Sequence, residues 1–445
     1  MTSLELRTAA WHGDRVVELD LPPTWDGEVF RPDTPPPLTD ADVAGALERP
    51  VAQAPIRELA RGKERPVVVV DDLTRPTPVD RVLTHLLHQF EAGGIPRARV
   101  SIVIATGAHP PPPSDGVHRK LGDSRGCRVM VHDCTRDLTR VGRTSFGSPV
   151  LVNRDVAASD FIVGIGGIYP QHSTGFGGGS KLALGVLGKS SIIRLHYGHE
   201  SAEGSYDVEN DFRRELDEIA GMIGLGTMIS VHVDADRRIV RLTAGDRAAS
   251  YAGEVAFARR VYRAPVPGDA DVVISNAYPV DGSLTFVRSK GLIPLLHADR
   301  AASRVAIASC SEGVGHHGLF PFVTGSRLQP AIQVWRRART RPGDFPARVA
   351  RAVGRRWAGA RSVERPGILL YRPDAEGSAL PKSIPGMREV RTWSEVVRAV
   401  EREQVVRKRL RVVVYACAPL QVLELEADRR MSAGSTGLVH PTGDG

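Results

Sequence analysis

Residues 160–181, DFIVGIGGIYPQHSTGFGGGSK, decide how this chain folds. The run DFIVGI is short and rich in β-branched residues, as a strand buried on both faces requires. Glycines 166 and 167 end it. A polar, glycine-rich loop comes next, and then residues 182–200 (LALGVLGKSSIIRLHYGHE) carry apolar residues at helical spacing. Strand, glycine loop and helix in that order form one unit of an α/β fold with a parallel sheet. Outward from this unit the same pattern repeats. Residues 65–71 (RPVVVVD), 100–105 (VSIVIA) and 127–132 (CRVMVH) read as buried parallel strands, and 79–92 (VDRVLTHLLHQFEA) reads as a helix between the first two. A second series of strands is expected at 271–275, 304–309, 367–371 and 410–415, with a helix at 394–402 before the last. Pro267-Gly268 punctuates the chain between the two series. The expected architecture is therefore α/β in two domains, each a largely parallel sheet flanked by helices. Residues 1–267 would form an N-terminal cofactor-binding domain and 268–430 a C-terminal α/β domain, with the active site in the cleft between them. Residues 1–40, which include the proline run 35–37, are expected to lie over the surface. Residues 431–445, rich in Gly, Ser and Thr, are expected to be a disordered tail.

Composition narrows the class. A chain of 445 residues with 42% hydrophobic and 5% aromatic residues suits a soluble α/β protein. No apolar run approaches the roughly 18 residues needed to cross a bilayer. The start, MTSLELRTAA, lacks the basic-then-apolar pattern of a secretory signal, so a cytoplasmic protein is expected. Cys127, Cys134, Cys310 and Cys417 have no CxxC spacing, which points to reduced thiols rather than a zinc knuckle or redox pair. The net charge of +8 owes most to arginine. Its densest segment, 335–365, reads as a solvated helical face, and no nucleic-acid-binding motif accompanies it.

Ligands of open parallel sheets bind beyond the carboxyl ends of the strands, and the unusual residues of this chain fall there. After the first strand comes DDLTRPTP (71–78), in which Arg75 could clamp a carboxylate or phosphate. A surface arginine on a proline-stiffened turn is the plainer reading of that segment by itself. After the second strand, TGAH places His109 where it could act as a general base, although a lone histidine is more often structural. His132-Asp133 repeats this signal more weakly. In the loop after 160–165, Gly177, Gly178 and Gly179 could offer backbone N–H groups to an anion, but the spacing matches neither a Walker A loop nor a GxGxxG fingerprint. Lys181 is more informative. Only seven of the chain's 59 basic residues are lysines, so a lysine inside a glycine loop suggests an amine that must lose its proton, as a nucleophile or covalent anchor does. His196 and His199 come later, on the expected helix. In the second half, SNAYPVDG (275–282) with Lys290, and CSEGVGHHG (310–318), again succeed strands. The adjacent His316 and His317 are poorly spaced to share one metal ion.

Taken in order, DDLTRPTP, TGAH, STGFGGGSK followed by LH, SNAYPVDG…SK and CSEGVGHHG resemble the lactate racemase family, over roughly residues 65 to 320. The resemblance implies an isomerase, a racemase or epimerase of a 2-hydroxy acid, using a nickel-pincer nucleotide. It implies that Lys181 carries this cofactor covalently and that His196 ligates the nickel. Asp72, Thr74, Gly177, Gly178 and Gly179 would line the cofactor. His109 would be a base, and Arg75 and Lys290 would hold the substrate carboxylate and keto oxygen. A small-molecule 2-hydroxy acid and cofactor-maturation proteins are the implied partners, with no nucleic acid, no membrane and the oligomeric state open.

The sequence departs from the family pattern at three points. Gln171 stands where the family has a second histidine, and the histidine is displaced to His172. Val287 replaces a glutamine near Lys290. The stretch from Lys181 to His196 is one residue short. Glutamine cannot act as a base near neutral pH. The departures favour a substrate other than lactate. They also leave two alternatives: a same-fold enzyme with one effective base doing elimination or one-sided redox chemistry, or a cofactor-less anion-binding homologue.

Overall fold

The computed structural model describes residues 3–171, 173–199, 206–315, 367–373 and 379–424. Two six-stranded sheets organise it. In the first, the strands run Ile239–Asp246, Thr227–Val233, Phe161–Gly167, Pro66–Asp71, Ser101–Ala105 and Arg128–Val131 from edge to edge. All neighbours are parallel except the first pair, an antiparallel hairpin. Pro66–Asp71 is buried at every residue, which is why its sequence shows no alternation. The helix Val79–Ala92 turns Val79, Val82, Leu83, Leu86, Leu87 and Phe90 into the core beneath it, the i, i+3, i+4 pattern of a core-facing helix.

The second sheet is parallel throughout. Its order is Met387–Val390, Ile368–Tyr371, Ser303–Ile307, Val272–Asn276, Leu410–Tyr415 and Trp25–Phe30. The α/β reading with largely parallel sheets therefore describes the molecule. The strands 66–71, 101–105, 161–167, 272–276, 303–307, 368–371 and 410–415, and the helices 79–92 and 393–403, lie within a residue or two of their expected limits.

Three expectations need correcting. Residues 1–40 do not simply drape over the surface. Ser3–Thr8 and Arg15–Asp20 form an antiparallel hairpin that buries Leu4, Leu6, Val17 and Leu19 in the second sheet's core, and Trp25–Phe30 is a strand of that sheet. Arg128–Val131 is a half-exposed edge strand rather than a buried one. Residues 182–200 are not one helix. A 3₁₀ helix, Gly179–Val186, gives way at Leu187-Gly188 to the α-helix Lys189–Gly198. At the break the backbone turns to other partners: the Gly188 N–H donates to the Leu151 carbonyl at 2.8 Å and the Lys189 N–H to the Cys134 carbonyl at 2.7 Å, and a Cβ on Gly188 would sit 2.8 Å from Leu138 and 2.9 Å from Leu151. The basic segment 335–365 and the tail 431–445 lie outside the described residues. No helix among the described residues is long and apolar enough to cross a membrane.

Candidate functional site

Asp71 ends the strand Pro66–Asp71 and Asp72 follows it directly, so their side chains part to opposite sides. Asp71 turns inward. It pairs with the fully buried Lys120 at 2.6 Å and accepts from the Thr77 hydroxyl at 2.5 Å and the Gly167 N–H at 3.2 Å. Asp72 turns toward His109 and meets its Nδ1 at 2.6 Å. Thr74 donates its hydroxyl to the other Asp72 oxygen at 2.5 Å. Burial would raise the Asp72 carboxyl, but His109, Arg75 and Thr74 outweigh it and hold the group well below the usual carboxylate range. Asp72 is thus a permanent anion that fixes Nδ1 of His109, and with it the orientation and tautomer of the ring.

Arg75 lies 5.8 Å from the centre of the Tyr169 ring, and Lys290 lies 4.9 Å from that centre. Lys290 is buried and Arg75 half-buried around this one phenol. Arg75 Nη1 and Lys290 Nζ have no hydrogen-bond partner. The amine of Lys290 is pushed well below its ordinary value by burial first, then by Arg75 and Lys181. Lys181 is displaced in the same direction by burial, Arg75 and Arg213. Its ammonium lies 5.7 Å from the Phe212 ring centre, and no carboxylate pairs with it among the described residues. An arginine and two amines whose charge is disfavoured by burial and by one another define a place where an anion would be welcome.

The glycine loop reaches this place by a route that demands glycine. Gly175, Gly178 and Gly179 have φ of +72°, +69° and +54°. A Cβ on Gly179 would also lie 2.7 Å from the Tyr251 ring. The Gly177 N–H donates to the Tyr169 carbonyl at 2.8 Å. Lys181 therefore sits inside the 3₁₀ helix and not at a helix start, as the strand–loop–helix pattern had suggested.

On the next α-helix, His196 Nδ1 lies 2.9 Å from the Ile192 carbonyl. Donating there makes the other ring nitrogen an electron-pair donor, the tautomer a metal ligand needs. Burial and then Lys181 lower the His196 pKa to about 3. His199 goes elsewhere: it pairs with the buried Glu215 and stacks on Phe212. His132 is also structural, since its Nε2 bonds the Leu187 carbonyl at 2.9 Å where the two helices break.

The second sheet contributes Lys290 and Phe286, whose ring lies 5.4 Å from His109. Its other motif residues are structural. Asn276 bonds the Arg7 and Ala416 carbonyls, and Asp281 accepts from the N–H groups of Ala9, Ala10 and Ser309. Val287 is buried in the sheet's core. The fold thus gathers Asp72, Thr74, Arg75, His109, Lys181, His196 and Lys290. Gln171, in the short strand Pro170–Gln171, lies beside Tyr169 with its amide nitrogen buried and unbonded. His172, His316 and His317 lie outside the described residues. Cys127, Cys134, Cys310 and Cys417 are thiols, the last two buried. No group of three His, Cys, Asp or Glu converges as a metal centre among the described residues.

Sequence reasoning missed Tyr169, Phe212 and Arg213. Phe212 touches Lys181, His196 and His199. It lies on the helix Asp211–Met222, whose sequence resembles any amphipathic surface helix; its spacing alone did not mark it.

The fold and site define an α/β protein of two parallel-rich sheets with a lysine-bearing glycine loop between buried cations and histidines. Residues 12–205 match the model of the lactate racemase N-terminal domain. Lactate racemase of Lactiplantibacillus plantarum is 26% identical over 290 residues, 62% of this chain and 68% of that protein. Lactate racemase of Thermoanaerobacterium thermosaccharolyticum is 25% identical over 296 residues, 64% of this chain and 69% of that protein. The solved apoprotein of the latter superimposes with a TM-score of 0.68, covering 95% of this chain and all of the other at 20% identity. A Thermotoga maritima protein of solved structure gives 0.52 at 15% identity, covering 89% of this chain and all of that one. These similarities support reading the chain as a divergent relative of the lactate racemases, with the family-model match confined to residues 12–205.

Proposed function

We propose that this protein is a racemase or epimerase of a 2-hydroxy acid that works in the cytoplasm with a nickel-pincer nucleotide attached at Lys181. The observation that carries the reading is the pairing of Asp72–His109 with two buried, unbonded cationic groups on Arg75 and Lys290. The residues present fit the group. Lys181 offers an amine of depressed basicity, and His196 offers one ring nitrogen while its other is tied to a carbonyl. A cofactor that brings its own donors needs only one imidazole from the protein. Thr74 and the loop Gly177–Gly179 would line it, and maturation proteins would deliver it. In this reading the boundary near residue 267 separates the cofactor loop from Lys290, and the opposing wall also draws on the amino-terminal strand Trp25–Phe30.

When bound, the nickel-pincer nucleotide would accept the hydrogen at substrate C2 as hydride and return it to either face. The protein's part rests on its own groups. Arg75 and Lys290 hold the substrate carboxylate and the oxygen at C2, where negative charge develops. His109, oriented by Asp72, takes the hydroxyl proton as the 2-keto acid forms and gives it back afterwards. Gln171 presents an amide donor rather than a base on its side of Tyr169. The departure there favours a substrate with a hydrogen-bonding group beyond that of lactate.

The chain is produced together with the cofactor pathway and nickel, and its intact mass is measured. An adduct that disappears in Lys181→Ala supports the reading. No adduct and no nickel would sink it in favour of an anion-binding homologue. A substrate deuterated at C2 then tests the reaction: label lost to solvent with accumulation of an unsaturated or keto product means one-sided chemistry.

A further inference from the structure

Arg213 is buried, yet its guanidinium meets backbone carbonyls rather than a carboxylate. Nη1 donates to the Gly178 carbonyl at 3.1 Å. Nη2 donates to the carbonyls of Phe176 and, at 3.4 Å, of Thr174. Nη2 also bonds the Tyr251 hydroxyl, which donates to the Phe176 carbonyl at 3.2 Å. The three carbonyls alternate along the chain, so a single planar fork holds five residues of the loop at once. Arg213 itself starts the helix Asp211–Met222, where the Asn210 cap fixes its backbone N–H at 2.9 Å. The loop is also held by the buried Phe176 side chain, by the pairing of Pro170–Gln171 with Gly175–Phe176 and by the Gly177 N–H on the Tyr169 carbonyl, but beyond Phe176 its glycines add little hold of their own. Its glycines have no side chains to bury, and each samples many backbone conformations when unrestrained. Lys181 lies three residues past the last gripped carbonyl, and its own N–H donates to that Gly178 carbonyl at 3.1 Å.

We infer that Arg213 is the positioning residue of this loop: its grip on the Thr174, Phe176 and Gly178 carbonyls presents Lys181 to the site. The inference rests on the reading of Lys181 as the attachment point, but its first measurement does not. Lysine keeps a charge yet lacks the fork, so Arg213→Lys separates geometry from charge. Hydrogen exchange is measured by peptide on the chain made without cofactor, as wild type, Arg213→Lys and Arg213→Ala. Exchange over residues 174–181 should quicken at least about tenfold in Arg213→Ala, because charged hydrogen bonds are lost there, while the Pro66–Asp71 strand stays protected. Arg213→Lys should fall between. The same variants made with the cofactor pathway and nickel should lose most of the adduct in Arg213→Ala. Guanidinium ion added below denaturing concentration should restore part of it, which a merely structural defect would not allow. Unchanged exchange over 174–181, faster exchange everywhere, or a full adduct in Arg213→Ala would each overturn the inference. If the wild type carries no adduct, the proposed function fails, and the exchange measurement still decides whether Arg213 holds the loop.

Discussion

The carboxyl ends of the two sheets contain similar polar residues used in opposite ways. On the second sheet two charged groups are fully bonded. Asp281 accepts from three backbone N–H groups, and Arg372 bonds the Ser309 and Cys310 carbonyls and pairs with Glu389 at 2.9 Å. On the first sheet, Arg75 keeps one nitrogen unbonded, and Lys290 reaches across from the second sheet in the same state. A buried polar group without a partner costs stability. Asp281 and Arg372 are therefore architecture, whereas Arg75 and Lys290, unbonded side by side around Tyr169, mark where a ligand would complete the bonding. Motif residues alone do not tell these apart, since Asp281 and Lys290 belong to one motif.

The comparison can be broken by mutation. The largest effect is expected at the oriented base. His109→Asn or Asp72→Asn should lower kcat by roughly 10²- to 10⁴-fold. The urea midpoint should hardly move, because neither group braces the core; a large fall in stability instead would make the pair structural. On the second sheet, Asp281→Ala leaves three backbone N–H groups without an acceptor and should cost about 2–5 kcal/mol in urea unfolding. A loss of catalysis with full stability there would reverse the assignment of Asp281.

Lys290→Met should do the opposite. Removing an unbonded buried amine should stabilise the fold by about 1 kcal/mol while weakening substrate binding, read as a raised KM. The mildest effect comes from acid. His196 has its pKa lowered to about 3, and burial lowers His132 and His232 as well. The unfolded chain binds these protons first. Stability should therefore be full above the ordinary histidine pKa near 6.5 and decline as the pH falls from there toward 3. Between pH 7.5 and 6 the loss from His196 should be about 1 kcal/mol. A urea midpoint that rises on acidification over that range would contradict the buried, neutral histidines.

Much of this was legible in the sequence because the determinants are local. Six buried residues in a row, as in PVVVVD, can only be a central parallel strand, and the topology then puts the residues after Asp71 at the site edge. The hairpin of residues 3–8 and 15–20 was legible too: its burial alternates, as SLELRT and RVVELD do, but the nearby prolines suggested a surface path. The break at Leu187-Gly188 was not legible, since the partners the backbone turns to there, Leu151 and Cys134, lie far away in sequence. Arg213 was hidden for the same reason. In sequence it is one of two arginines on a charged helix, and only the folded loop supplies the carbonyls that distinguish it from Arg214.

The strand Trp25–Phe30 carries a consequence for how the protein is made. Its hydrogen-bonding neighbour, Leu410–Tyr415, is synthesised some 380 residues later. At about 5–20 residues per second the ribosome needs roughly 20–80 s to deliver it. Once residue 246 is made the first sheet has every strand it needs, whereas the amino-terminal strand still waits without its neighbour. The lysine loop is thus made inside the span that separates two neighbouring strands of the opposing wall, and a ribosome stalled between residues 246 and 410 would hold a complete first sheet beside an open one.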